Sequence, residues 1–221
     1  MMGYSNGTAQ QNTEDLHTTG KVDGALTFNG SSDYVDTNDT FESVFQDSFS
    51  INCWIKPVDG RPISSQNIYG CYKYDEVAYE VVLALYSNGK ITAFYSAFGE
   101  TVIELTTQEA VFEDGVTEWT MITMIVEEIS STTIKIHLFV NGSLLISGDE
   151  SETQMSSYSS DSKFFIGVYN QNGNPAFPGI EGIIDNVMIF NKALSQTEVD
   201  LLYNNGAGLN GLDSGGFIYK W

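Results

Sequence analysis

The chain has 221 residues, within the range of one all-β domain, and its 29 Asp and Glu against 9 Lys and Arg give a formal net charge of −20. No basic cluster interrupts this acidity, which excludes nucleic acid and anionic membrane surfaces as partners, because phosphate contacts need concentrated positive charge. The longest apolar run, residues 81–86, is far short of the roughly 18 residues that suggest a membrane span, so no membrane insertion is expected.

Residues 1–15 are read as a flexible N-terminal segment, residues 16–206 as one folded unit, and residues 207–221 as a Gly-rich linker with an aromatic tail. Residues 1–7 have neither a basic start nor an apolar stretch, so no secretory signal is visible. Two cysteines are too few for a disulfide framework. A hairpin centred near Pro62 would bring Cys53 opposite Cys71, which leaves a bridge and two separate buried thiols as open alternatives. Strands are expected over 78–86 and 91–98, joined by Asn88-Gly89 in a type I′ turn, and then over 102–106 and 121–127. Asn141-Gly142 predicts a second hairpin of the same type, and 163–169 a further strand. Residues 183–190 are apolar enough for a strand buried on both faces. Ser195 and Glu198 then form a capping box, Leu194 and Val199 a hydrophobic staple, and Val199, Leu202 and Tyr203 one apolar helix face. Gly206 suits the helix stop. Aromatics at 13% and 21 glycines fit a two-layer sheet protein rich in turns.

Nothing in the sequence has the spacing of a catalytic centre. Glu127 and Glu128 are consecutive and point to opposite faces of a strand, and Glu113-Asp114-Gly115 reads as a turn. A nucleophile elbow, a phosphate-binding glycine loop and zinc-ligand spacing are absent, so no enzyme activity is expected. Two segments have sugar-recognition chemistry, combining aromatic faces with planar amides: one carries Tyr72 and Tyr74, the other Tyr169, Asn170, Asn172 and Phe177. Both are equally serviceable as surface turns.

Five motifs, in order, carry a family resemblance. They are the Gly-led stretch 20–35 with its Asn29-Gly30 turn and Asp33-Tyr34-Val35, the Trp54 strand ending in Lys56-Pro57, the Trp119-led strand, the Phe139-Val140-Asn141-Gly142 hairpin, and the Asp185 strand running into the capped helix. Together they resemble the laminin-G-like, concanavalin A-like family. The resemblance implies an all-β, two-sheet antiparallel jelly-roll sandwich with one short C-terminal helix. It also implies one structural Ca2+, held by the Asp185 side chain and the Gly24 carbonyl; the alternative is that Asp185 hydrogen-bonds backbone amides.

By the same resemblance the chain is expected to be a non-catalytic lectin-like module recognising carbohydrate, extracellular or on a virion. The second reading is an assembly protein of a virion or surface array with little glycan affinity. Relative to the family, the strand beside 183–190 is missing at the N-terminus, so the tail 216–221 is expected to dock on its own sheet or on a neighbouring subunit, giving a homo-oligomer.

Overall fold

The computed structural model describes residues 4–5, 16–22, 24–72, 81–97, 102–151, 154–159, 161–209 and 217–220. Its strands begin with β1 Tyr4–Ser5, β2 His17–Thr19, β3 Gly24–Asn29, β4 Val35–Asp36, β5 Phe49–Pro57, β6 Gln66–Tyr72, β7 Val81–Leu85, β8 Ile91–Tyr95 and β9 Ile103–Thr106. They continue with β10 Thr120–Ser130, β11 Thr133–Val140, β12 Ser143–Ser151, β13 Phe165–Ile166, β14 Tyr169–Gln171, β15 Asn174–Ala176, β16 Glu181–Phe190 and β17 Phe217–Lys220. Among the described residues two α-helices, α1 Glu42–Phe45 and α2 Gln196–Tyr203, accompany them.

One sheet runs β1-β4-β13-β6-β7-β8-β9 and carries the β14-β15 hairpin on β6. The other runs β12-β11-β10-β5-β16-β3-β2 with β17 on β16. Period-two alternation explains why they stack. On β5, Phe49, Ile51, Cys53 and Ile55 face Tyr69, Leu83 and Tyr95 of the opposite sheet in one continuous core. The alternate residues of the second sheet, Trp54, Met121, Ile125, Met188 and Phe190, are covered by Val199 and Leu202 of α2. That is why residues 183–190 read as apolar on both faces.

The capping box of α2 forms as expected, with Ser195 Oγ accepting from the Glu198 amide and Glu198 Oε2 accepting from the Ser195 amide at 3.0 Å. The left-handed stop falls on Asn204, earlier than Gly206, because an Asn204–Gly206 3-10 turn intervenes. The Lys192 ammonium and then the Ser195 amide pull the Glu198 carboxyl from its ordinary 4.5 down to about 2. A lowered folded-state value stabilises in full above pH 4.5, and the contribution is lost as pH falls toward 2. Glu198→Gln is therefore expected to destabilise the protein near neutral pH and to change little near pH 2, read by urea denaturation at both. An equal loss at both would contradict this.

Two expectations are corrected, and the alternative left open for the thiols is settled. Cys53 and Cys71 form no bridge: both are buried free thiols, because β5 and β6 lie in opposite sheets and the Pro62 connection crosses the sandwich instead of closing a hairpin. Asn141-Gly142 makes the type I′ turn, with both φ positive. At Asn88-Gly89 only Gly89 is left-handed, and the Tyr86 amide donates to the Lys90 carbonyl across a longer loop. The strand over 163–169 is broken into β13 and β14 at Gly167, whose φ of 89° admits glycine, and where a Cβ would lie 2.4 Å from the Phe28 ring. A short helix, α1, was not foreseen beside the C-terminal one.

The tail does meet its own sheet. β16 pairs β3 along Glu181 to Asp185, and β17 takes over on Met188, Ile189 and Phe190. The β16 edge from Met188 to Phe190 is thus covered from within the chain.

Candidate functional site

Asp185 and Gly24 come together, since Asp185 pairs Ala25, the neighbour of Gly24. Asp185 is 2% exposed, and its Oδ2 accepts from the amides of Lys21 at 2.6 Å and Val22 at 2.8 Å. The Lys21 ammonium lies 5.3 Å from the centre of the neighbouring Trp54 ring. Around the bulge where β16 shifts register against β5, Asn52 Nδ2, Trp54 Nε1 and Asn186 Oδ1 are buried without partners: two donors and one acceptor. Among the described residues no group of three or more His, Cys, Asp and Glu could hold a metal ion. Converging N–H groups, a nearby ammonium and surplus donors do not fit calcium, which takes six to eight oxygens. The carboxylate here is a clasp fastening the approach to β3 onto β16. Calcium and chelator are expected to leave the thermal midpoint unchanged, whereas an ion present at about a hundred times its Kd would add about 2.7 kcal/mol.

The two polar-aromatic segments meet only in part. Tyr72 and Tyr169, both half-buried, pack edge to face with ring centres 5.7 Å apart, where β14 runs parallel to β6. Asn170 is 1% exposed, and its amide is spent on the hairpin, donating to the Lys163 carbonyl and accepting from the Gly173 amide. Asn172 is exposed at the hairpin tip with φ 52°, and its backbone N–H donates to the Tyr72 carbonyl. Tyr74 lies outside the described residues. Phe177 is exposed and adjoins Pro178 at the opposite end of β6.

That end holds a cleft of about 280 Å³ that sequence reading did not find. Its walls come from the turn Asn29, Gly30 and Ser31, the loop residues Asp59, Pro62, Ile63 and Ser64, and Gln66, Pro178 and Glu181. Local chemistry fixes each wall. Asn29 Oδ1 accepts from the Ser31 and Ser32 amides at 2.9 Å, holding the turn, and the Gly30 carbonyl accepts from the Gly179 amide. Asp59 Oδ1 accepts from the Arg61 and Gly115 amides at 2.9 Å, which hold its carboxyl below the usual carboxylate range and anchor the loop. Gln66 is 8% exposed and lines the cleft, and its Oε1 accepts from the Glu181 amide. Ile63 is fully exposed between Pro62 and Ser64. An exposed large apolar residue in a Gly- and Pro-containing loop was the one local signal for this site.

A sequence model of laminin-G type, described as the concanavalin A-like lectin/glucanases superfamily, matches residues 29–200. The chain belongs to this superfamily. The fold is similar to that of the CBM40 of a Ruminococcus gnavus IT-sialidase bound to alpha2,3 sialyllactose, at 14% identity, TM-score 0.63, covering 79% of this chain and 94% of that one. It is also similar to the botulinum neurotoxin serotype D binding domain, at 16% identity and TM-score 0.61, covering 92% of this chain and 46% of that one. A third likeness is to a heptameric SAP-like pentraxin from Limulus polyphemus, at 15% identity and TM-score 0.54, covering 74% and 72%. At these identities the likeness establishes the fold. A search of curated protein sequences found no match. No helix among the described residues is long and apolar enough to cross a membrane.

Proposed function

We propose that this superfamily member is a non-catalytic carbohydrate-binding module, acting outside the cell, whose ligand lies in the cleft between the Asn29 turn and the 59–66 loop, with Phe177 at its edge. Gln66 carries the reading. A planar amide that is almost wholly buried in the wall of an open cleft, its carbonyl held by the Glu181 amide, is preorganised for a hydroxyl-bearing ligand. The carboxylates of Asp59 and Glu181, the hydroxyls of Ser31 and Ser64, and the apolar surfaces of Ile63 and Pro62 supply the mixture that a sugar ring uses.

The superfamily and the glycan named with the sialidase module support the same reading. The assembly reading draws no support from the aromatic tail, because β17 pairs with β16 of the same chain. A glycan array probed with the purified protein, with calcium and again with chelator, is expected to give the same hits in both conditions. A blank array in both would refute the reading.

A further inference from the structure

We infer that the cleft selects sugars carrying no negative charge and rejects sialic acids, uronates and sulfated glycans; this rests on the carbohydrate-binding reading of the same cleft. Two carboxylates, Asp59 and Glu181, line it, and among the described residues no lysine, arginine or histidine does. The Glu181 side chain is exposed and has no hydrogen bond or ion pair among the described residues, so its charge is offered to whatever enters. Arg61 is the chain's one arginine, and its guanidinium is engaged by Glu113 Oε2 at 2.9 Å outside the cleft lining. Binding of a sugar carboxylate or sulfate is favoured by a facing cation, above all the planar fork of an arginine. Here an anionic ligand would meet two like charges with no compensating cation among the described lining residues, on a protein of net charge −20.

The acidic pair does not stand alone as evidence of a site. Gln66, 8% exposed, lines the same cleft with its Oε1 fixed by the Glu181 amide and no hydrogen bond of its Nε2 among the described residues, an independent sign of a ligand, and one neutral donor suits a hydroxyl or carbonyl oxygen. The surrounding carboxylates are acceptors and take hydroxyl or amine hydrogens from the ligand. The fold is shared with a module that binds sialyllactose, yet the charge of this cleft assigns the chain a different class of sugar.

The test compares acidic with uncharged and amine-bearing glycans on one array, followed by titration of the best uncharged hit and of its sialylated form into the wild type and Glu181→Gln. Hits confined to glycans without negative charge, at least tenfold preference for the uncharged form, and a smaller preference in Glu181→Gln are expected. Acidic glycans among the leading hits would overturn the inference while leaving carbohydrate binding intact. A preference unchanged in Glu181→Gln would overturn it too, by removing the cleft from the selection. An array with no hits would instead overturn the carbohydrate-binding reading itself, and this inference with it.

Discussion

Trp54→Ala is expected to lower the unfolding free energy by about 3–5 kcal/mol. The indole is 1% exposed on the outer face of the second sheet, where it joins three parts of the chain. Tyr203 of α2 stacks on it with ring centres 5.8 Å apart and planes 17° from parallel. Lys21 lies over the ring, and a Cβ on Gly208 would fall 3.2 Å from Nε1. Truncation would open a cavity between β5 and α2 that neither can collapse into, since β5 is fixed by pairing on both sides. Trp54→Phe is expected to cost clearly less, because Nε1 has no hydrogen-bond partner to lose. Urea denaturation reads both: the midpoint should fall with the slope unchanged. A loss under about 1 kcal/mol for the alanine variant would mean that α2 is not held through this ring.

Asp185→Ala is expected to cost about 3 kcal/mol or more, because two amide hydrogen bonds to a charged acceptor are lost at a site 2% exposed. The Lys21 and Val22 amides would then lack their acceptor, and the approach to β3 would lose its fastening to β16. For a chain of 221 residues this corresponds to roughly 6–12 °C in the thermal midpoint. Local hydrogen exchange gives the sharper reading: amide protection at Lys21 and Val22 should fall further than elsewhere. A variant with wild-type protection there would show that the clasp does not hold this segment.

Chemistry local in sequence was legible. The capping box of α2 needs only Ser195 and Glu198, and the Asn141-Gly142 turn needs only two residues able to adopt positive φ. The same dipeptide at Asn88-Gly89 supports a second geometry, and the choice belongs to the pairing of the strands it joins. Nothing in the stretch between Cys53 and Cys71 says whether it closes a hairpin or crosses to the other sheet, so the fate of the two thiols was open. Asp185 was legible as important, but only the register of β16 against β3 and the approach of Lys21 and Val22 show amide donors around it. The cleft was the least legible feature. Its walls come from residues 29–31, 59–66 and 178–181, segments with no common period, and its central amide, Gln66, opens a strand, β6, that the sequence reading does not contain.

The most direct test of the glycan cleft is an amide chemical-shift titration of the isotope-labelled protein with the best uncharged hit from the array. Saturable shifts are predicted at Gly30, Ile63, Gln66 and Glu181, with Tyr72, Tyr169 and Asn172 at the far end of β6 unchanged. Shifts gathered around Tyr72 and Tyr169 instead, with the cleft silent, would contradict the account.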